Sequence, residues 1–176
     1  MKSRTGKNSN TERAEMKKII RLFVTDVDGT LTDGGMYYTN SGDEFKKFNA
    51  QDGMGIHLLR DKGIKTAIIT QENTQIVERR AKKLKVDFLH QSVHDKLEMI
   101  RILCKQEQIS IEECAYIGDD VNDMEALAHA GLAACPANAV TAVKAMKGII
   151  ILKSSGGNGA VREFIEYIIK ECTNDI

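Results

Sequence analysis

Short apolar runs alternate with amphipathic segments along most of this chain, and that alternation limits the folds open to it. Continuous apolar runs predict buried strands, whereas apolar residues spaced three and four apart predict helices. Strands are predicted at 19–25, 65–70, 86–89, 114–117, 132–135 and 148–152, and helices at 52–62, 73–84, 94–107, 121–130, 139–146 and 158–171. Because parallel strands need long crossovers that are usually helices, we predict a Rossmann-like α/β fold, a doubly wound parallel sheet with helices on both faces.

Two segments fall outside the alternation. Residues 36–38 and 44–48 flank the turn-forming residues 40–43, a pattern typical of a β-hairpin, here a small flap. Residues 1–17 are polar and rich in lysine and arginine, and we predict a disordered basic tail there. That leaves residues 18–172 as a single predicted domain.

The charge balance argues against nucleic acid as a partner. The 176 residues contain 25 basic and 25 acidic side chains, whereas proteins that hold nucleic acid by its phosphates usually carry a basic excess. No apolar stretch approaches the length needed to span a bilayer, so we predict no membrane partner. The cysteines form no C-x-x-C pair, which favours reduced thiols and a cytoplasmic location. They are Cys104, Cys114, Cys135 and Cys172.

Polar side chains follow several predicted strands at their carboxyl ends. Because the carboxyl ends of parallel strands share one edge of the sheet, we expect these side chains to gather there, joined by a lysine from the helix at 94–107. The set is Asp26, Asp28, Thr70, Lys96, Asp119, Asp120 and Asp123. Clustered carboxylates repel one another and need a cation, and an oxygen-only site suits Mg²⁺. Magnesium, Lys96 and the Thr70 hydroxyl can together neutralise a phosphoryl group.

Asp26 and Asp28 are spaced for two separate chemical roles. Side chains at i and i+2 of an extended strand end point the same way, so both carboxyls can face one substrate. One carboxylate can attack phosphorus to form an acyl phosphate, and the other can protonate the leaving oxygen and then activate water. Gly29 permits the sharp turn that follows. The alternative is that acids at strand ends only cap helices, as Asp119 and Asp120 would.

Four motifs in order along the chain resemble those of the haloacid-dehalogenase superfamily. They are Asp26-x-Asp28-Gly29-Thr30, Thr70, Lys96 and Gly118-Asp119-Asp120-x-Asn122-Asp123. The resemblance implies a phosphatase in which Asp26 is the nucleophile and Asp28 the acid and base. It also implies that magnesium is held by Asp26, the Asp28 carbonyl and Asp119.

The same resemblance assigns roles to the remaining motif residues. Thr70 and Lys96 would contact the phosphate, and Asp123 would support the metal site from behind. Asn122 is predicted to contact the substrate.

Further motifs resemble one small branch of that superfamily, which lacks a cap domain. The residues between Asp28, Thr70 and Lys96 leave no room for a cap, and segments 48–56 and 155–163 match the branch. It includes 3-deoxy-D-manno-octulosonate 8-phosphate phosphatases, nonulosonate 9-phosphate phosphatases and the C-terminal domains of some CMP-sialic acid synthetases. The resemblance implies a homotetramer in which hairpins and neighbouring chains cover an open site.

The substrate implied is a phosphorylated sugar acid with eight or nine carbons. Eight-carbon enzymes of the branch typically carry Gly-Arg after the threonine of the second motif, where this chain has Gln71-Glu72. Phosphatases of KDN or N-acylneuraminate 9-phosphate can carry Glu there, followed by a basic helix. Glu72, Arg80 and Lys83 fit that pattern as substrate-binding residues, which slightly favours a nine-carbon substrate. The alternative is an exposed helix start with ordinary surface charges.

Two other functions stay open. The synthetase-linked domains suggest a non-catalytic oligomerisation module, but such a module need not keep its nucleophile. This chain retains all four of the main motif residues, which argues against that role. They are Asp26, Asp28, Lys96 and Asp119. A phosphatase of another small phosphate ester is the second alternative, because an open site does not exclude one.

Overall fold

The computed structural model describes residues 18–172, and the predicted basic tail at 1–17 lies outside them. In chain order the elements are β1 (Leu22–Thr25), β2 (Tyr37–Tyr38), β3 (Glu44–Phe45), α1 (Ala50–Asp61), β4 (Lys65–Ile69), α2 (Gln75–Leu84), β5 (Phe88–His90), α3 (Lys96–Gln106), β6 (Cys114–Ile117), α4 (Met124–His129), β7 (Leu132–Cys135), α5 (Thr141–Lys144), β8 (Ile150–Ile151) and α6 (Ala160–Cys172).

Over the described residues, the main sheet has six parallel strands in the order β5-β4-β1-β6-β7-β8. The chain moves outward from β1 through β4 to β5, and then returns to build the other half from β6 to β8. The strand order therefore reverses between β1 and β6, and ligands of such sheets bind outside the carboxyl ends of the strands at that point. The predicted doubly wound α/β fold is confirmed.

Strand side chains alternate between two hydrophobic cores, one on each face of the sheet. Phe23, Ile68 and Ile117 lie in the core that α1, α2 and α6 cover, whereas Val24 and Tyr116 lie in the core that α3, α4 and α5 cover. Successive side chains of a strand point to opposite faces. Because both faces are apolar, these strands read in the sequence as continuous apolar runs.

Two glycines let α1 pack closely against its neighbours. A Cβ atom added to Gly53 would lie 2.8 Å from Leu84 of α2, and one added to Gly55 would lie 3.0 Å from Ile165 of α6. A glycine inside a helix costs about 1 kcal/mol relative to alanine. The close approach of α1 to both helices offsets that cost.

The hairpin forms a small sheet of its own. Strands β2 and β3 pair antiparallel, with Tyr37 opposite Phe45, and Thr32 bridges Phe48 at the base of the hairpin. The predicted flap is therefore present, although its strands are shorter than the segments 36–38 and 44–48. Lys46 lies between the hairpin and the bridge, so its backbone is held from both sides.

Several predicted boundaries differ from the observed ones for identifiable reasons. The predicted helix at 121–130 opens as a 3-10 turn over Val121–Asp123, because Asp120 and Asp123 form a reciprocal capping box there. The predicted strand at 148–152 shortens to β8, an edge strand that pairs with β7 alone.

Neither a membrane span nor a disulfide is part of the fold over residues 18–172. No helix in that range combines the length and apolar character needed to cross a lipid bilayer. Helix α6 has 13 residues, whereas a spanning helix needs about 20. The cysteines within these residues form no disulfide and are buried as small core side chains.

We expect Phe164 to contribute far more to stability than Tyr167 on the same helix. Phe164 is fully buried with its ring centroid 6.1 Å from that of Phe23, whereas Tyr167 is exposed. Phe164→Ala should lower the free energy of unfolding by about 3–5 kcal/mol because it leaves a cavity. Tyr167→Ala should lower it by less than about 1 kcal/mol. Urea unfolding followed by circular dichroism measures both, and equal losses would contradict the assignment of the core.

Candidate active site

A polar cavity of about 350 Å³ opens at the carboxyl ends of the central strands. Asp26 follows β1 and Thr70 follows β4, so two neighbouring strands deliver side chains to the same place. The lining residues are Asp26, Asp28, Thr70, Gln71, Glu72, Asp120 and Asn122. The predicted gathering of polar side chains at this sheet edge is therefore observed.

Lys96 joins two buried carboxylates at the floor of the site. Its Nζ lies 2.7 Å from Oδ1 of Asp26 and 2.6 Å from Oδ1 of Asp123. Lys96 is the first residue of α3, and the Asp95 side chain caps that helix by accepting from the backbone N–H of Glu98. Burial alone would lower the pKa of Lys96, but Asp26 and Asp123 outweigh it and raise that pKa. The lysine is therefore a permanent cation in the site.

Asp26 is buried beside two other carboxyl groups, those of Asp119 and Asp123, and beside one cation, Lys96. Burial, followed by repulsion from Asp123, raises the pKa of Asp26 to about 8, although Lys96 acts in the opposite direction. The protein alone thus leaves the carboxylate of Asp26 under-compensated. An additional positive charge beside it would favour the ionised form.

Asp123 holds the loop and the lysine in place with both oxygens. Its Oδ1 accepts from Lys96 and from the Tyr116 hydroxyl, the latter at 2.6 Å. Its Oδ2 accepts from the backbone N–H groups of Asp119 and Asp120 at 2.9 and 3.2 Å. Because these bonds occupy the lone pairs of its carboxylate, Asp123 holds Lys96 and the loop at 119–120 in position. Its effect on catalysis stays a prediction.

Asp26, Asp119 and Asp123 form a carboxylate cluster that can hold a metal ion. One oxygen from each lies within 4.8 Å of the others. Because Asp123 is engaged in the bonds just described, Asp26 and Asp119 are the carboxylates best placed as ligands. Burial and then Asp123 raise the pKa of Asp119 to about 7, although the Thr30 hydroxyl donates to its Oδ1 at 3.0 Å. Repelling oxygen donors without a matching cation fit Mg²⁺.

The turn after Asp28 leaves room only for glycine. Gly29 has φ of +83°, and a Cβ atom there would lie 2.1 Å from Oδ2 of Asp119. A Cβ atom on Gly156 would lie 2.0 Å from the Gly29 carbonyl oxygen. Asn138 ties these loops together, since its Nδ2 donates to the Gly29 carbonyl at 2.9 Å and its Oδ1 accepts from the Gly156 N–H at 2.7 Å. The glycines of segment 155–163 thus pack against the turn that carries Asp28.

Asp28 sits at the cavity wall against a lysine that sequence reasoning missed. Lys46 Nζ donates to Oδ1 of Asp28 at 2.6 Å and to Oε2 of Glu72 at 3.0 Å. Oε1 of Glu44 lies 3.3 Å from the same nitrogen as an ion pair without hydrogen-bond geometry. The sequence does not distinguish Lys46 from its neighbour Lys47. Only the fold shows that Lys46 contacts Asp28 and that Lys47 does not.

On the opposite side of the mouth, side-chain amides form a short chain of contacts. Asn122 Nδ2 donates to Oε1 of Gln71 at 3.3 Å, and Gln71 Nε2 lies 3.3 Å from Nδ1 of His94. Thr70 is buried at the end of β4 and lines the cavity. Asn122 and Thr70 therefore lie where a substrate can reach them, and their contacts with one stay predictions.

Arg80 and Lys83 are not brought to the cavity of their own chain. Arg80 Nη2 donates to the Asn49 carbonyl at 2.9 Å, and its guanidinium lies 5.3 Å from the centroid of the Phe48 ring. Lys83 is exposed on α2. Neither residue lines this cavity, and Arg80 instead joins α2 to the start of α1. The substrate contacts predicted for these two residues stay predictions.

Magnesium should stabilise the protein more strongly at pH 8 than at pH 5. The pKa values of Asp26 and Asp119 stand at about 8 and about 7, above their ordinary value of 3.8. A carboxyl group whose pKa is higher in the folded state than in the unfolded state stabilises the fold fully at pH values below its unfolded-state pKa. That contribution is lost as the pH rises through the folded-state pKa. Without a divalent cation, stability should fall from about pH 5 to about pH 8. Added Mg²⁺ should restore it by binding the ionised pair.

Thermal unfolding midpoints with and without millimolar MgCl₂ test this expectation. The gain from Mg²⁺ should largely disappear in Asp119→Asn, which removes one ligand charge. A gain that is as large at pH 5 as at pH 8 would contradict the charge balance described for the cluster.

Comparison with known proteins places this geometry in a family. The sequence profile of the haloacid dehalogenase-like hydrolases matches residues 52–131. The chain is 39% identical over 150 residues to the 3-deoxy-D-manno-octulosonate 8-phosphate phosphatase of Yersinia pestis, covering 85% of this chain and 80% of that protein.

Solved structures are similar over the same span. The 3-deoxy-D-manno-octulosonate 8-phosphate phosphatase of Moraxella catarrhalis, in complex with magnesium, phosphate and KDO, has a TM-score of 0.84 and 42% identity, with 88% of each chain covered. The cobalt-bound Haemophilus influenzae enzyme has a TM-score of 0.82 and 34% identity, with 88% of this chain and 90% of that chain covered.

These likenesses confirm the predicted superfamily, and phosphatases of that superfamily use magnesium, the cofactor predicted from the carboxylates. The chain therefore belongs to the haloacid dehalogenase-like hydrolases, in the capless branch of phosphoric monoester hydrolases that includes the 3-deoxy-D-manno-octulosonate 8-phosphate phosphatases.

Proposed function

We propose that this chain hydrolyses the phosphate monoester of a 3-deoxy-2-ulosonic acid through an aspartyl phosphate, with magnesium as cofactor. The observation that carries the proposal is the position of Asp26 at the cavity. Its Oδ1 lies 2.7 Å from Lys96 Nζ, and one of its carboxylate oxygens lies within 4.8 Å of an Asp119 oxygen. A nucleophilic carboxylate, a fixed cation and a metal-binding acid meet there. Phosphoryl transfer requires mainly such positioning and charge neutralisation.

The first step transfers the phosphoryl group to Asp26. An oxygen of Asp26 forms a bond to phosphorus while the bond from phosphorus to the sugar oxygen breaks. That oxygen takes the proton from the carboxyl group of Asp28, which is two residues away on the same turn. Lys96 balances negative charge at Asp26, and bound magnesium supplies further positive charge to the carboxylates and phosphate oxygens.

The second step returns the site to its starting state. Water attacks phosphorus and gives a proton to the carboxylate of Asp28, which now acts as a base. The bond between phosphorus and Asp26 breaks, inorganic phosphate leaves, and Asp26 is again a carboxylate. Thr70 and Asn122 line the cavity, where they would contact the phosphate and the sugar acid respectively.

An eight-carbon substrate is the first candidate, because the relatives described above act on 3-deoxy-D-manno-octulosonate 8-phosphate. A nine-carbon substrate, KDN or N-acylneuraminate 9-phosphate, is the second. It is favoured by Glu72, which lines the cavity where eight-carbon enzymes of the branch typically carry arginine. Exchange of a cation for an anion changes which sugar hydroxyls and carboxylates the cavity tolerates.

Phosphate release with Mg²⁺ from a panel of sugar phosphates tests the proposal. The eight- or nine-carbon ulosonate phosphate should be the best substrate, and Asp26→Asn should reduce the rate at least about a thousandfold by removing the nucleophile. Asp61→Asn, the same change on an exposed residue at the end of α1, is the matched control. Equal rates for wild type and Asp26→Asn would overturn the mechanism. A preference for a nucleotide or phosphopeptide would overturn the substrate class.

A homotetramer with hairpins laid over neighbouring sites is the proposed assembly. It is supported by large apolar side chains exposed on the hairpin, with Tyr38 64% and Phe45 58% exposed beside Met36 and Tyr37. Clustered exposed apolar side chains mark interaction surfaces. The cytoplasm is the proposed compartment, supported by buried cysteines that form no disulfide within residues 18–172.

Light scattering should give the mass of four chains for the wild type. Tyr38→Glu combined with Phe45→Glu should lower that mass, because the charges would have to be buried between chains. Ile102→Glu, a matched change at an exposed position on α3, should leave it unchanged. A monomeric wild type would refute the assembly.

A further inference from the structure

Lys46 is a buried cation that joins the hairpin to the catalytic turn. Its side chain is 1% exposed, although lysine side chains usually reach solvent. The hydrogen bonds to Asp28 and Glu72 and the ion pair with Glu44 offset the cost of burying its charge. A lysine held in this way has one orientation, set by three carboxylates from three different segments.

The contact with Asp28 fixes one end of the carboxyl group. Lys46 donates to Oδ1 at 2.6 Å, which leaves Oδ2 as the oxygen from which Asp28 would give a proton to the leaving oxygen. The side chain of Asp28 is 30% exposed and would otherwise rotate about its last torsion, which is broad for aspartate. Proton transfer depends on a donor held at hydrogen-bond distance in the correct direction.

Glu72 reaches Asp28 only through Lys46. Its Oε2 accepts from Lys46 Nζ at 3.0 Å, and its side chain is 42% exposed at the cavity rim. The two loops that follow β3 and β4 therefore meet at one ammonium group. In this arrangement the carboxylate of Glu72 is already paired with the flap, although the sequence suggested a direct contact with the sugar.

We propose that Lys46 is a positioning residue that orients Asp28 for proton transfer, and that Glu72 acts by holding Lys46. This inference rests on the proposed function, because it gives a role to Lys46 in the same reaction. Lys46 neither gives nor takes a proton. It fixes Oδ1 so that the proton on Oδ2 passes to the sugar oxygen as the bond from phosphorus to that oxygen breaks.

The test compares two leaving groups. A sugar phosphate has an alkoxide leaving group that needs a proton, whereas p-nitrophenyl phosphate has a phenolate that leaves without one. The parameter kcat/KM covers only the steps through the first phosphoryl transfer, so the later hydrolysis of the aspartyl phosphate does not affect it. Lys46→Met should reduce kcat/KM about tenfold or more for the better of the two ulosonate phosphates and less than about threefold for p-nitrophenyl phosphate.

A double-mutant cycle tests the role of Glu72. Glu72→Gln should reduce kcat/KM for the sugar phosphate by about threefold, and this loss should vanish in the Lys46→Met background because both act through one contact. Lys47→Met is the matched control, since Lys47 is exposed and its Nζ donates to Asn158 at 2.7 Å, away from the cavity. Its kcat/KM values should equal those of the wild type.

Three outcomes would overturn the inference. Equal losses on both substrates in Lys46→Met would make the lysine a binding or structural residue. An undiminished Glu72→Gln effect in the Lys46→Met background would make Glu72 a direct substrate contact. If Lys46→Met does not fold, equal losses of kcat/KM on both substrates in Glu72→Gln alone would also overturn the inference. A wild type that turns over neither substrate would instead overturn the proposed function.

Discussion

The ammonium group of Lys96, held between the carboxylates of Asp26 and Asp123, is the interaction on which the site depends. Each of these groups would be costly to bury alone, because an isolated charge loses its hydration in the interior. Together they form a hydrogen-bonded unit at the carboxyl ends of β1 and β6. When Asp26 is ionised, the unit carries one more negative charge than positive, and an ionised Asp119 adds another. That imbalance fits the cluster to bind a divalent cation.

The fold supplies the position of this unit through the reversal of strand order. Strand β1 lies between β4 and β6, so residues that follow three strands converge without any long loop. Crossover helices on both faces bury the strands and hold their ends in register. Asp26, Thr70 and Asp119 therefore lie at the ends of rigid strands, whereas Lys46 comes from the hairpin and Glu72 from the segment after β4.

Much of this could be predicted from the sequence, for a physical reason. Strands buried on both faces are continuous apolar runs, and polar residues directly after them must lie at one edge, so Asp26, Thr70 and Asp119 could be placed without coordinates. Lys46 and Asn138 could not, because their partners are distant in the chain and neither lies in a recognisable pattern. The contact of Arg80 with the Asn49 carbonyl could not be predicted either, because a charge on a helix surface does not reveal what it faces.

The packing of Gly156 against Gly29 ties the order of synthesis to the assembly of the site. The turn after Asp26 is made well before Asn138, which holds its carbonyl, and Gly156, which covers it. These contacts span more than a hundred residues, and distant contacts form late because chain entropy opposes them. A nascent chain can thus contain Asp26, Asp28 and Asp119 while the turn at Gly29 still lacks these contacts. The turn that carries Asp28 is therefore complete only after the segment that contains Gly156 has been made.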